Sequence, residues 1–250
     1  MSRLLIASLD RFGPLDVAAR ASLAACPHSV TAFEPGQAIV AVGDRCRLRV
    51  MSKGLAVRQH VMRDGGRQIL GLVTPGDVID LAGLYSGFDH EIRALSPCEV
   101  RHTTSEDVRA VVRAHPDLLA ALCRALLTEA KLQRAWIVGL SGRSALGRAA
   151  HLFCEIYARQ AVVALAAAGR CQFPASQADI AAALGLSVVH THRLLQRLKA
   201  SGLASLRSGV LTISDWDGLA ALAEFDPSYF KPQHEAAERV VAAPALCATG

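Results

Sequence analysis

Residues 176–201 read SQADIAAALGLSVVHTHRLLQRLKAS. Ser176 can cap a short helix, with Asp179 placed to complete a capping box. Gly185-Leu186-Ser187 forms a tight turn, and Ser187 caps a second helix over 188–201. Ile180, Ala181, Leu184, Leu186, Thr191, Leu194, Leu195 and Leu198 fall on one shared inner face. Ala181 and Gly185 are small where two helices must approach closely. Two short helices joined by a three-residue turn of this kind form a helix-turn-helix. Gly202 stops the second helix. Residues 203–207 and 210–213, separated by Ser208-Gly209, read as a two-strand hairpin. A helix-turn-helix followed by a hairpin makes a winged helix.

The charge agrees with this reading. Residues 144–213 hold seven basic residues (Arg148, Arg159, Arg170, Arg193, Arg197, Lys199, Arg207) and two acidic ones, Glu155 and Asp179. Residues 214–250 hold two basic and six acidic. A basic segment beside an acidic tail points to nucleic acid; the plain alternative is a solvated basic face.

Upstream, Ser144 can cap a helix over 145–168 that Gly169 ends. Gly139-Leu140-Ser141-Gly142-Arg143-Ser144 is expected to break the preceding helix and make a hinge over 141–144. That preceding helix opens at His115-Pro116-Asp117. Leu118, Leu122, Ala125, Leu126, Leu132, Trp136 and Leu140 recur along it at spacings near 3 and 4. Two readings of this stripe stand, a two-helix dimer seam or packing on the chain's own sheet domain, and both can hold on different faces. A short helix over 105–114 precedes it, with Ser105 as the expected cap.

Residues 31–104 read as β structure. Short apolar runs are punctuated by Pro35-Gly36, Gly43-Asp44, Gly54, Asp64-Gly65-Gly66, Pro75-Gly76-Asp77 and Ser96-Pro97. Asp64-Gly65-Gly66 marks a hairpin between 57–62 and 68–73. The expected fold is α+β, with an N-terminal antiparallel β-roll, a long helix and a C-terminal winged helix-turn-helix. Domains are expected at 1–114 (roll), 115–140 (long helix), 141–144 (hinge) and 145–230 (winged helix). Residues 231–250, Ala-rich with Pro232 and Pro244, are expected to be a disordered tail.

The 250 residues are 52% hydrophobic, enough for a packed core. The longest wholly apolar run, 161–168, has eight residues, against the about 20 a membrane span needs. No membrane is expected as a partner, and the expected location is the cytoplasm. The seven cysteines, at 26, 46, 98, 123, 154, 171 and 247, include no Cys-x-x-Cys pair, so a zinc ribbon or local iron–sulfur motif lacks support. A thiol switch at Cys46 or Cys98 stands as one idea.

The order of these parts resembles the CRP/FNR superfamily of bacterial transcription regulators over residues 15–225. The resemblance rests on Phe33-Glu34-Pro35-Gly36-Gln37, Gly43-Asp44, Gly54 and Thr74-Pro75-Gly76-Asp77 in the roll. It rests further on Gly147-Arg148-Ala149-Ala150, on 177–198 with the wing, and on Asp215-Trp216-Asp217 and Phe225-Asp226-Pro227. It implies a homodimer that reads a palindrome in double-stranded DNA, with half-sites about one helical turn apart. It also implies RNA polymerase as a partner and an effector felt by the roll. Cyclic-nucleotide-binding relatives carry Gly-Glu after the Pro-Gly-Asp turn and then Arg-Ser. Here those places hold Asp80-Leu81 and Phe88-Asp89, which speaks against a cyclic nucleotide. Only Cys26 lies where oxygen-sensing relatives cluster cysteines, which speaks against an iron–sulfur cube. The cofactor stays open; His90, in the same degenerate loop as Asp80, Leu81 and Asp89, is the one candidate for a haem ligand.

In the reading head, Arg193 matches the family's base-reading arginine. Its planar fork can take guanine O6 and N7 together, worth about 1–3 kcal/mol of discrimination. Val189 stands where many relatives carry a glutamate; a valine cannot accept from cytosine N4 but can touch a thymine methyl, so the half-site is expected to differ from the usual one at that position. Val188, His192, Gln196 and Arg197 share the exposed face. Ser176, Gln177, Ser187, His190, Arg207 and Ser208 are expected on the phosphate backbone. His190 and His192 lie two apart on a helix, pointing about 200° apart, so they do not chelate a metal.

Two other readings compete. One is a ligand, redox or haem sensor whose winged helix contacts protein. The other is a cupin-like enzyme. Its His-x-His metal site is missing, because 31–104 holds only His60, His90 and His102. No nucleophile-elbow, zinc-protease or phosphate-loop motif occurs either, so the chain is not expected to be an enzyme.

Overall fold

The computed structural model describes residues 6, 9, 10, 15–44, 47–79, 81, 87–226 and 228. Asp80, Cys46 and the tail 231–250 lie outside the described residues. After helix α1 (Val17–Ala25) come strands β1 (Ser29–Phe33), β2 (Ala38–Val40), β3 (Arg47–Lys53), β4 (Ala56–Val61), β5 (Arg67–Val73), β6 (Glu91–Ala94) and β7 (Cys98–Thr104). Two antiparallel sheets result, ordered β1-β7-β3 and β2-β6-β4-β5. They enclose Ile39, Met51, Val73, Ile79, Phe88, Ile92 and Val100. This is the roll. β4 and β5 pair through the hairpin at Asp64-Gly65-Gly66, with Val61 opposite Arg67.

Helix α2 (Ser105–Ala114) follows. Its cap is Thr104, whose side chain accepts from Asp107 N, rather than Ser105, which is buried as the first helical residue. Helix α3 (Pro116–Gly142) then runs 27 residues, about 40 Å at 1.5 Å per residue. The break falls at Arg143 and Ser144, the far end of the expected segment, and the helix continues through Gly139. Gly139 is buried, and Arg143 folds back to donate to Ala135 O at 3.0 Å, so the last turn stays helical. Only Arg143 and Ser144 separate α3 from α4 (Ala145–Val162). Helix α4 stops six residues short of Ala168. Leu165 N turns back onto Gln160 O at 2.8 Å, with Ala164 at φ 58°. The chain then enters strand β8 (Arg170–Gln172), which the sequence reading missed.

Helices α5 (Gln177–Leu184) and α6 (Val188–Ala200) come next, then β9 (Ala204–Arg207), β10 (Val210–Ile213) and α7 (Trp216–Ala223). β10 lies between β8 and β9 in an antiparallel sheet. Roll, long helix and winged helix thus stand in the order read from the sequence.

Their junction was not legible. One apolar cluster joins Leu55, Val57, Ile69 and Leu72 of the roll to Phe173, Ile180, Ala183 and Leu184 beside α5. Arg67 in β5 reaches Asp179 of α5 at 2.6 Å. Arg159 of α4 reaches Asp77 of the Pro-Gly-Asp turn at 3.1 Å. Arg58 of β4 lies 3.4 Å from Glu129 of α3. The roll and the winged helix therefore share a core. Burying that apolar surface is worth roughly 25 cal/mol per Å², and the ion pairs fix its register.

Candidate nucleic-acid interface

The two motif helices are built by their caps. Ser176 Oγ accepts from Asp179 N at 3.1 Å, and Asp179 accepts from Ser176 N at 2.8 Å. This capping box satisfies two end N–H groups at once. The other Asp179 oxygen holds Arg67. One carboxylate thus starts α5 and ties it to the roll. The turn needs a left-handed residue, and Gly185 supplies it at φ 64°, ψ 41°. A side chain there would be strained. Leu186 N then returns to Ala181 O at 3.0 Å. Ser187 starts α6 by accepting from His190 N at 3.2 Å.

Thr191, Leu194 and Leu198 are buried on the inner face of α6. The outer face presents Val188, Val189, His190, His192, Arg193, Gln196 and Arg197, all exposed. No acidic residue lies in α6, so the face carries positive charge alone. Val189 and Arg193, four residues apart, share one line along the helix. Gln177 Nε2 and His192 Nδ1 lie 3.3 Å apart, which orients the imidazole. Ser176, Gln177 and Ser187 are exposed at the helix starts, and Arg207 and Ser208 at the wing tip. Ser208 and Gly209, at φ 48° and 74°, form the left-handed pair that a two-residue hairpin turn requires. All twelve residues singled out by sequence therefore lie at the solvent side of one reading head. Lys199, counted above among the basic residues and also exposed on α6, joins them.

The expected dimer seam is redrawn. Leu118, Leu122 and Leu132 are buried within their own chain. Leu118 and Leu122 pack with Leu48, Val50 and Val108. Trp136 is turned inward and donates to Glu155 at 2.6 Å, and Ala125 is half-buried. Of the seven, only Leu126 and Leu140 are exposed. The open stripe of α3 runs Leu119, Cys123, Leu126, the half-buried Ala130 and Gln133, Ile137 and Leu140, with exposures of 46%, 48%, 64% and 42% at Leu119, Leu126, Ile137 and Leu140, and Leu127 and Val138 lie exposed beside it. Its steps alternate 4 and 3, the spacing of a two-helix seam. The helix carries two apolar stripes, and periodicity does not say which one the roll covers.

In the roll, Leu81 is a core residue beside Val78 and Val108. Phe88 is buried under the Arg49 guanidinium, 5.5 Å from its ring centroid. Asp89 is exposed and hydrogen-bonded to His90 Nδ1 at 2.6 Å. That bond holds the Asp89 carboxyl below its usual range. His90 packs edge-on against Phe88. Cys98 is buried, with Sγ directed at Ser96 O and Leu55 O, and burial pushes its thiol up. It is a poor redox switch for that reason. Among the described residues, Asp16, His115 and Asp117 bring ligand-type atoms within 4.8 Å of one another. Asp16 caps α1 and Asp117 accepts from Asp16 N at 3.0 Å, so both carboxylates already serve helix starts.

Two family models match the two halves. The cyclic nucleotide-binding domain matches residues 30–115, and the Crp-like helix-turn-helix domain matches residues 147–222. The chain belongs to the CRP/FNR superfamily of transcription regulators. The fumarate and nitrate reduction regulatory protein of Salmonella typhimurium is 27% identical over 196 residues, covering 76% of this chain and 77% of that protein. FixK2 from Bradyrhizobium japonicum has a similar structure at TM-score 0.70 and 20% identity, over 78% of this chain and 97% of that one. A CRP/FNR-family transcriptional regulator from Thermus thermophilus, TTHA1359, is similar at TM-score 0.62 and 20% identity, over 79% and 99%. The structural likenesses bear on the fold. CRP/FNR regulators bind DNA through the helix-turn-helix and act as dimers. Among the described residues, no helix is long and apolar enough to cross a membrane.

Proposed function

We propose that this chain acts as a homodimer that sets α6 of each protomer into successive major grooves of a palindromic promoter site. The observation that carries this reading is the outer face of α6, exposed, acid-free and headed by Val189 and Arg193. Arg193 is free to reach guanine, because among the described residues no side chain pairs with it. Val189 contributes an apolar patch for a thymine methyl. Arg197, Lys199 and Arg207 supply phosphate contacts. The open stripe from Leu119 to Leu140 supports a parallel two-helix seam, which would place the reading heads about 34 Å apart. Contact with RNA polymerase follows from the family resemblance. The exposed, ionised Asp89 repels a cyclic phosphate and supports a roll that answers to some other signal or to none.

Binding of reduced, ligand-free protein to its own promoter DNA across a salt series tests the reading. Affinity falling steeply with salt is expected, with about 10³-fold or more preference over random DNA. Tight specific binding means the dimer already stands in its reading geometry. Weak, sequence-blind binding means an activating effector is needed. Binding indifferent to both salt and sequence overturns the proposal.

A further inference from the structure

Arg58 is buried in the roll, and its guanidinium touches three separate segments. Nη1 donates to Leu72 O of β5 at 3.0 Å, and Nη2 donates to Ile79 O, just past the Pro75-Gly76-Asp77 turn, at 2.7 Å. Nη1 also lies 3.4 Å from Glu129 Oε1 of α3. Glu129 Oε2 faces Arg159 of α4 at 3.9 Å, and Arg159 returns to Asp77 at 3.1 Å. These contacts form a closed circuit: roll, long helix, first helix of the winged domain, and roll again. The circuit leaves the roll at Ile79 and re-enters it at Asp77, two residues away. The long helix lies close on β5 at this point. A Cβ at Gly71 would meet Gln133 Nε2 at 3.6 Å and Glu129 Oε1 at 3.9 Å. Burial disfavours the Glu129 charge, yet Arg58 and then Arg159 outweigh it and hold the carboxyl below its usual range.

A small molecule that set the angle between roll and α3 would have to contact both at once. A ligand shifts an equilibrium only by what it binds differently in the two states. Arg58 already makes that pair of contacts from within the chain. Its stem is fixed to β4, so no association entropy is lost in making them. We propose that Arg58 and Glu129 form a resident latch, which holds α3 against the roll and keeps the two reading heads correctly spaced without a bound effector. Neither residue lies on the reading head; both are positioning residues that act through α3. Opening the latch lowers the fraction of dimers whose heads are correctly spaced, and apparent affinity for the specific site falls in proportion. Phosphate contacts by Arg197, Lys199 and Arg207 do not need that spacing, so random DNA is bound as before.

The latch presupposes the DNA-binding homodimer proposed above, and the test separates the two. Ligand-free full-length wild type, Glu129→Gln and Arg58→Ala are compared by fluorescence anisotropy on promoter and random DNA at one ionic strength. Wild type should bind the promoter specifically with nothing added. Glu129→Gln keeps the side-chain size and both carbonyl bonds of Arg58, so it should stay folded. Its promoter affinity should fall about tenfold, within the roughly 5–150-fold range of such couplings, while its affinity for random DNA holds. Arg58→Ala should lose as much and regain it saturably with millimolar guanidinium chloride, matched against sodium chloride. Glu129→Gln should not respond to guanidinium. Such rescue marks a positional role, because a denaturant does not repair a variant that is merely unfolded. Variants that bind the promoter as tightly as wild type, equal losses on both DNAs, or no rescue of Arg58→Ala overturn the latch. So does wild type that binds both DNAs weakly and alike in a salt-dependent way, which leaves the DNA-binding reading standing. Wild-type binding indifferent to salt and sequence overturns that reading and the latch with it.

Discussion

Arg159→Met removes the cation at the centre of the domain junction. Arg159 Nε donates to Glu155 at 2.9 Å, and Nη1 donates to Asp77 at 3.1 Å. Its Nη2 lies 3.9 Å from Glu129. Glu155 is wholly buried, and Trp136 is its second side-chain donor, at 2.6 Å. Methionine keeps the length of the stem and loses the charge. It leaves one carboxylate buried with a single side-chain donor and detaches α4 from the Pro-Gly-Asp turn. Breaking a buried pair from one side costs about 3–5 kcal/mol, against total stabilities of about 5–15 kcal/mol. The loss is limited because Glu155 can take up a proton. Burial already raises its pKa, and losing Arg159 raises it further. A carboxyl whose folded-state pKa lies above its unfolded value of about 4.3 favours folding below that value. The favour is lost as pH rises through the folded pKa. The deficit of Arg159→Met should therefore be largest at pH 7 and shrink toward pH 5. Urea unfolding of wild type and variant at both pH values measures it. A deficit below about 1 kcal/mol at pH 7, the range of a surface pair, or one that widens at pH 5, would refute the reasoning.

Arg193→Ala should weaken binding to the specific site by about 1–3 kcal/mol and random DNA far less, as read by fluorescence anisotropy on both DNAs; equal losses would demote Arg193 to a phosphate contact. Leu126→Lys with Ile137→Lys charges the open stripe of α3, so sedimentation should report monomers that keep native circular dichroism, whereas Leu118→Lys should unfold the chain, since Leu118 is fully buried. His151, held down to about 4 by burial and by Arg143, binds its proton more readily when unfolded. Stability tied to it is complete above about pH 6.5 and declines toward pH 4, by up to about 3 kcal/mol at 1.36 kcal/mol per pKa unit. Acid titration of the unfolding midpoint should be flatter in His151→Phe, and an unchanged slope would show that His151 is not buried neutral.

Local signals made much of the fold readable in advance. Glycine-bearing turns spaced the strands of the roll. The Ser176/Asp179 capping box, Gly185 and Ser187 set the motif helices, because caps and left-handed turns are satisfied by residues within a few positions of one another. Strand β8 escaped because three residues carry too little pattern. Helix α3 ran past Gly139 because Arg143 folded back over the gap that this glycine leaves.

By itself the sequence determined the order of roll, long helix and winged helix, and the exposed face of α6 with Val189 and Arg193. Periodicity of 3.6 separates an inner stripe from an outer one whenever one face is clearly polar. It could not decide between the two apolar stripes of α3. Only the tertiary structure did, by covering Leu118, Leu122 and Leu132 and leaving Leu119, Leu126 and Ile137 open. The contacts Arg67–Asp179 and Arg159–Asp77 likewise join residues 112 and 82 positions apart. No local rule pairs such residues; they meet because the apolar faces of β5, α4 and α5 exclude water together in one core, which brings the charges within reach.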